Sequence, residues 1–457
     1  MALQIIMGTF QYCRRFELRR SHLVLVGLLA FARMSLSILV YQNPEPAYFP
    51  DSAGYERLGN SLLDGTAYRS TSVDEAELFR PPGYPAFIAL AYGLLGRNAG
   101  NLVLLQLGLG GPIIFLLYQL GLRLHSPPAG LVAAALYAFD PLSALWGLAV
   151  LSDTLFTALV VVGLYGLVRW QLERRAGWLV LAGLAGGVSA LVRPVGLLLL
   201  PLWALIVFLT GRGLQQSKRS PASQVAVKGL LVFGGAFLLI VMPWSVRNKL
   251  VWDVFGISSV AARNGGLTEI YLEEYLAPAT IAERDGVSLE AARASLIPPT
   301  GLSRASRTAW FTRVIWSTPQ HYAKAHLKGT LQSIVGIEYI DWFEFFVRPA
   351  ERQGLLVALQ AGDPGEIVRR LAGSLADQPA VAAALILSLL YQLFLYIAAL
   401  LGFRRLFRHQ PWTIALFAAT GAILILAPGV AGESRFRLPV QPILALMASV
   451  GLVPRDS

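Results

Sequence analysis

Charge is scarce in this sequence: Asp, Glu, Lys and Arg make up 14% of its 457 residues, against 55% that are apolar. So few polar side chains do not cover a water-soluble globule of this size, which excludes an ordinary soluble fold. Cysteine is nearly absent, and the single Cys13 excludes an intrachain disulfide and any cysteine-based metal site. Histidine is thin as well. His22, His125, His321, His326 and His409 show no metal-ligand spacing with the carboxylates, so no metal and no cofactor is expected. A phosphate-binding loop is missing: the stretch ARNGG at 262–266 lacks a Lys-Ser/Thr ending and a preceding strand, and nucleotide binding has no support. No fixed-period repeat is visible, which excludes a solenoid and gives no sign of an inverted-repeat transporter.

What the sequence has instead is long apolar runs. Ten of them approach the about 20 residues needed to cross a bilayer: 21–41, 100–122, 129–148, 153–170, 177–192, 194–210, 226–246, 380–402, 411–430 and 437–453. The first lacks a small-residue cleavage site and reads as a retained helix rather than a signal peptide. One more run, 84–96, is too short to cross and is expected to be interfacial or re-entrant.

Lys and Arg exceed Asp and Glu by 38 to 27, and the excess sits in short clusters between these runs. That pattern is a topology signal, not a nucleic-acid-binding surface. Arg14, Arg15, Arg19 and Arg20 precede the first span and place the N-terminus in the cytoplasm. Arg169, Arg174 and Arg175, then Arg212, Lys218 and Arg219, then Arg404, Arg405 and Arg408 share that side only if 84–96 does not cross. The expectation is an all-α polytopic protein of the cytoplasmic (inner) membrane with about ten spans and both termini inside. Its parts are an N-terminal module (1–246) with a first outer loop (42–99), a large outer segment (247–379) and C-terminal helices (380–457). The aromatic, amphipathic stretch 321–346 predicts interfacial helices at headgroup level.

With that topology, the ionisable groups at span ends gather on the outer side. They are Asp51 in YFPDSAGY, Arg80 in FRPPGYP, Asp153 in LSDTLF, Arg193 in LVRPVG, Arg247 in PWSVRN, and Arg435 and Arg437 in ESRFRLP. Two carboxylates and five arginines on one face suit a specific chemistry. A sugar leaving a lipid monophosphate leaves a phosphate anion, which arginine binds in a planar fork that stays charged at any working pH. The acceptor hydroxyl loses its proton as it attacks, which calls for a carboxylate base. Asp51 and Asp153 are the candidates. One base and one displacement predict inversion at the anomeric centre.

The order of these motifs, with Tyr55 four residues after Asp51 and RPPGYP at 80–85, resembles the GT-C glycosyltransferases. It is similar in particular to the branch of protein O-mannosyltransferases and the aminoarabinose transferase of lipid A. The resemblance implies a GT-C type bundle with a catalytic Asp in the first outer loop, matched by Asp51. It also implies a donor cavity lined by Tyr55, Arg80 and Tyr84, and a second acidic residue at the start of a later span, matched by Asp153. Arg193, Arg247, Arg435 and Arg437 then complete the substrate-binding set. Protein mannosyltransferases carry an Asp-Glu pair in the first loop, whereas Asp51 is followed here by Ser52, which weakens protein mannosylation as the specific activity.

Simpler roles compete with these. Asp51 and Asp153 each stand where a helix N-cap is expected. Arg193, before Pro194, marks a tight turn, and Arg435 and Arg437 flank a span they could anchor, although positive charge on the outer side runs against the usual bias. The small residues of 183–191 suit close helix packing. The reading that accounts for most of the pattern is an inverting glycosyltransferase. Its donor is a polyprenyl-phosphate sugar, and its acceptor is a glycolipid, polysaccharide or protein at the outer face. The rivals are a transporter or flippase of a lipid-linked sugar, and an O-antigen-ligase-like transferase using a diphosphate-linked donor.

Overall fold

The structure is a computed structural model that describes residues 19–41, 43–66, 68, 80–213, 222–253, 255–258, 272–302, 304–336 and 379–454. Cys13, Arg14, Arg15, Lys218, Arg219, the stretch 262–266 and residues 337–346 lie outside the described residues. All regular structure among the described residues is helical.

The chain opens with α1 (Arg20–Met34), which continues through a 3₁₀ turn and one further helical turn to Tyr41. After the first loop come α2 (Ser52–Leu63), α3 (Gly83–Leu95), α4 (Ala99–Gly108), α5 (Gly110–Leu124), α6 (Pro127–Ala138) and α7 (Pro141–Trp146). Then follow α8 (Asp153–Glu173), α9 (Ala176–Val192), α10 (Leu199–Gly213) and the long α11 (Ala222–Trp252). Six stretches, 20–41, 99–124, 153–173, 194–212, 224–251 and 386–407, are helices long and apolar enough to cross a membrane. Their burial is graded: 72% of the apolar window of α8 is covered by protein, against 28% for those of α1 and α11. A central helix wrapped by partners, and outer helices that turn Leu28, Phe31, Leu231 and Leu239 outward, describe a bundle whose outer solvent is lipid. The protein is a multi-pass membrane protein.

Several expected spans are shorter helices than the apolar runs suggest. The run 129–148 divides at Asp140, whose Oδ2 accepts the Ser143 N–H at 2.8 Å and starts α7. The carbonyls freed at the end of α6 are not wasted: buried Arg33 of α1 donates to Tyr137 O at 3.0 Å and Ala138 O at 3.3 Å, as a charge at membrane depth must. The run 437–453 likewise begins as a 3₁₀ turn (Ser434–Val440), and only α18 (Gln441–Leu452) is α-helical. In the other direction, the span expected to end at 246 continues to Trp252 as α11, which carries Pro243 inside it. The small residues of α9 do allow close packing, since a methyl on Gly183 would meet Phe233 O of α11 at 2.4 Å.

Between α11 and the C-terminal helices lie α12 (Ala277–Asp285), α13 (Leu289–Ser295), α14 (Arg304–Ser317) and α15 (Pro319–Val335). They enclose a small core of their own from Leu272, Leu276, Ala277, Phe311 and Ile315. The chain closes with α16 (Pro379–Phe407), α17 (Pro411–Leu426) and α18. α18 packs along α16 and α6, while α15 meets the turn just before α18. That junction joins the helices of 277–335 to the turn that carries Arg435 and Arg437.

Candidate active site

Asp51 occupies the N-cap position of α2 but does not cap it: its backbone is helical (φ −78°, ψ −22°) and its side chain makes no cap hydrogen bond. An N-cap residue normally has an extended backbone. Its Oδ1 instead accepts a hydrogen bond from Arg80 Nη2 at 2.9 Å, and the side chain remains 43% exposed. Gly54 makes this pairing possible, because a methyl there would stand 2.8 Å from Arg80 Cζ. The guanidinium crosses α2 through the space glycine leaves.

Arg80 also lies over the Tyr55 ring, with Cζ 5.4 Å from its centroid, a cation–π geometry. Tyr55 rests edge-on against Tyr84 at 5.0 Å. Tyr84 is wholly buried, so its place is behind Tyr55, where its hydroxyl donates to Gln106 Oε1 at 2.9 Å. Gln106 in turn donates to the carbonyls of Gly147 and Ala149 at 2.9 and 2.6 Å. A second strap joins the first loop to the same segment. Buried Ser52 donates to Val150 O at 2.8 Å, and the Val150 N–H donates to Ala47 O at 2.8 Å. These ties hold the Asp51 loop against the entry to α8, where Asp153 begins the helix.

Asp153 is 3% exposed at its side chain and forms an ion pair with Arg193 of the α9–α10 turn. Its place in the first turn of α8 is favourable for a carboxylate, but the cap that sequence suggested for it is not what holds it. Gly83 sets the neighbouring approach: a methyl there would meet Leu191 O at 2.6 Å, so the start of α3 rests directly on the end of α9 beside Arg193. Burial lowers the pKa of Arg193 from the usual arginine value, and adjacent Arg435 lowers it further, while Tyr55, Asp51 and Glu433 raise it. The same neighbours show that Arg193 stands within the fields of both halves of the site. The guanidinium remains charged at neutral pH.

Arg435 contacts Glu433 at 2.8 Å and stacks on Phe436, which also lies 5.3 Å from Arg193 Cζ. Arg437 is placed differently. It is 2% exposed, and its guanidinium donates to Ile334 O, to Ser333 O at 3.4 Å and to Gly336 O at 3.3 Å. These are carbonyls at the C-terminal end of α15, left without intrahelical donors, so Arg437 fastens α15 to the α18 entry. Arg247 sits in the last turns of α11 over Trp244 at 4.7 Å and donates to Asn248 Oδ1 at 2.9 Å. Trp244 meets Tyr68 edge-on at 5.4 Å, and Tyr68 donates to Arg80 O at 2.9 Å. Through that contact chain Arg247 joins the Asp51–Arg80 side.

Two carboxylates escaped sequence reasoning. Glu56 accepts hydrogen bonds from Tyr48 at 2.9 Å and from Tyr92, fixing α2 against α3; only its place on the polar face of an amphipathic loop helix could have marked it. Asp140 was hidden inside an apolar run, where the following proline was the clue. Among the described residues no group of three or more His, Cys, Asp and Glu side chains stands close enough to hold a metal ion.

Residues 79–246 match the family model described as dolichyl-phosphate-mannose-protein mannosyltransferase, a stretch holding Arg80, Tyr84, Asp153 and Arg193. No curated protein sequence matches the chain. Among solved structures it is similar to the archaeal oligosaccharyltransferase AglB from Archaeoglobus fulgidus in complex with an inhibitory peptide and a dolichol-phosphate. The TM-score is 0.53 at 14% identity, covering 95% of this chain and 50% of that one. The apo form of the Archaeoglobus fulgidus oligosaccharyltransferase gives a TM-score of 0.51 at 13% identity, covering 94% and 50%. ArnT from Cupriavidus metallidurans bound to undecaprenyl phosphate gives 0.37 at 16% identity, covering 93% and 77%. The chain spans about half the length of the archaeal structures it matches. The expected all-α membrane architecture is the one found, with six helices rather than ten long and apolar enough to cross among the described residues; the chain shares the GT-C fold of the archaeal structures, and its residues 79–246 match the dolichyl-phosphate-mannose-protein mannosyltransferase family model.

Proposed function

We propose that the protein is an inverting glycosyltransferase that moves a sugar from a polyprenyl-phosphate donor to an acceptor hydroxyl at the outer face of the inner membrane. The observation that carries this reading is the pair of carboxylate–guanidinium contacts, Asp51–Arg80 and Asp153–Arg193, set at one end of the bundle with Arg435 beside them. The basic residues Arg174, Arg175, Arg404, Arg405 and Arg408 lie at the opposite helix ends, which supports the outward orientation of the site.

In this mechanism the exposed carboxylate of Asp51 takes the acceptor proton while the acceptor oxygen attacks the anomeric carbon and the bond to the phosphate oxygen breaks. Arg80, Arg193, Arg247 and Arg435 surround the polyprenyl phosphate that leaves and stabilise its growing charge. With that charge met by guanidinium groups, no metal takes part. Tyr55 positions Arg80, Tyr84 supports Tyr55, and Arg437 positions the turn that carries Arg435. Asp153 holds Arg193 and orients the acceptor. The acceptor is a glycolipid, polysaccharide or protein. Ser52, where protein mannosyltransferases carry Glu, is buried in the loop strap, which argues for a non-protein acceptor.

Supplying purified protein with a panel of polyprenyl-phosphate and polyprenyl-diphosphate sugars and membrane extract, and following the lipid released, tests this reading. Release of polyprenyl monophosphate with label in the extract supports the proposal. Release of polyprenyl diphosphate from a diphosphate donor would establish the ligase reading, and movement of intact donor across liposomes without release would establish a transporter.

A further inference from the structure

At the far end of α18 from Arg435 and Arg437, about 18 Å of helix away at 1.5 Å per residue, the ends of α5, α16 and α18 enclose a cavity of about 350 Å³. Its walls carry His125, Arg405, Arg408 and His409 together with apolar Leu406, Val450 and Pro454, and among the described residues no carboxylate lines it. Part of this basic lining answers the chain itself. His125 Nε2 meets Val453 O at 2.9 Å, and Arg405 Nη1 donates to Val450 O at 3.0 Å and Val453 O at 3.3 Å, closing the carbonyl end of α18. Arg408 plays no part in that closure. It has no hydrogen bond or ion pair among the described residues, and it is exposed at the cavity edge. The outer surface of α16 leading to the cavity is apolar, with Leu400, Leu401 and Phe407 at 62%, 45% and 61% exposure.

A basic pocket that opens onto an apolar helix face fits an amphiphile better than a free ion. We propose that this cavity is a second lipid site, taking the phosphodiester headgroup of an anionic phospholipid while the acyl chains lie along α16. On the orientation proposed above it faces the cytoplasmic leaflet, where such lipids are met by basic pockets between membrane helices. The phosphate sits against Arg408 and the outward edge of Arg405, and the site is separate from the Asp51–Arg80 end of the bundle.

The full chain, delipidated in detergent and titrated with phosphatidylglycerol, phosphatidylcholine or inorganic phosphate, tests this by native mass spectrometry. Phosphatidylglycerol is expected to bind in preference to phosphatidylcholine, and Arg408→Gln is expected to weaken it about fivefold. Arg404→Gln, exposed on the same turn but outside the cavity, leaves binding unchanged. Equal retention of both phospholipids, or equal loss in the two variants, would overturn the proposal. Displacement of phosphatidylglycerol by inorganic phosphate at equal concentration would overturn it in favour of a soluble-phosphate site.

Discussion

Alanine at position 54 is expected to leave the protein folded and to slow transfer. The added methyl would stand 2.8 Å from Arg80 Cζ and 3.1 Å from Nε and Nη2, about 0.6 Å short of ordinary van der Waals contact, which begins near 3.4 Å. The clashing atoms are the far end of a flexible side chain, so the guanidinium moves and the backbone does not. A shift of that size carries the 2.9 Å contact with Asp51 out of hydrogen-bonding range. The stability cost is small: a partly exposed ion pair contributes about 0–1 kcal/mol, and alanine in the first turn of α2 offsets it by up to about 1 kcal/mol relative to glycine. Catalysis is more sensitive, because misplacing a reacting group by about 1 Å costs up to about 100-fold; kcat/KM is therefore expected to fall about 10- to 100-fold. Gly83→Ala is the contrast. Its methyl would meet Leu191 O at 2.6 Å and C at 2.7 Å, backbone that cannot swing aside, and overpacking of this kind costs about 1–3 kcal/mol. Release of polyprenyl phosphate and thermal unfolding, measured on the same detergent-purified preparations, separate the two effects. A Gly54→Ala protein with wild-type kcat/KM, or one as unstable as Gly83→Ala, would refute the reasoning.

The two ion pairs should differ in their structural weight. Arg193→Gln strands the 3% exposed Asp153 carboxylate and is expected to destabilise by about 3–5 kcal/mol, whereas Arg80→Gln, beside a 43% exposed Asp51, costs about 1 kcal/mol or less; thermal melts showing equal losses would contradict this. Tyr84→Phe leaves Gln106 Oε1 without its donor and is expected to cost about 1–3 kcal/mol, read by the same melts. Arg437→Lys cannot reproduce a fork to several carbonyls, so amide exchange at 332–336 should speed up, and unchanged protection there would remove the role given to Arg437. Chelation with EDTA is expected to leave the release of polyprenyl phosphate unchanged; loss of release with recovery on adding a divalent cation would contradict the metal-free mechanism.

The membrane bundle and the shared face of its polar residues were legible in the sequence because apolar length and basic clusters are one-dimensional signals. Asp51, Arg80, Asp153, Arg193 and Arg435 were all nominated from span ends, and the structure brings them together. Their pairing was not legible. Asp153 and Arg193 lie 40 positions apart, and their contact depends on how α8 packs along α9. Arg437 was named both as a substrate-binding candidate and as a residue that could anchor its span; the carbonyls at the end of α15 that it holds were not legible, because backbone carbonyls leave no mark in a sequence. Asp140 was overlooked for a related reason: a lone carboxylate in an apolar run barely alters its hydropathy, yet as a helix cap it cuts an expected span in two.

The most direct test of the account is Asp51→Asn. The amide keeps the size of the carboxylate and loses its basicity, so the protein should insert, purify and retain bound donor as the wild type does. With the polyprenyl-phosphate sugar that supports transfer, the rate of polyprenyl phosphate release is expected to fall by about 10²- to 10⁴-fold, the contribution of a positioned general base. Release near the wild-type rate from a correctly folded Asp51→Asn protein would contradict the account at its centre.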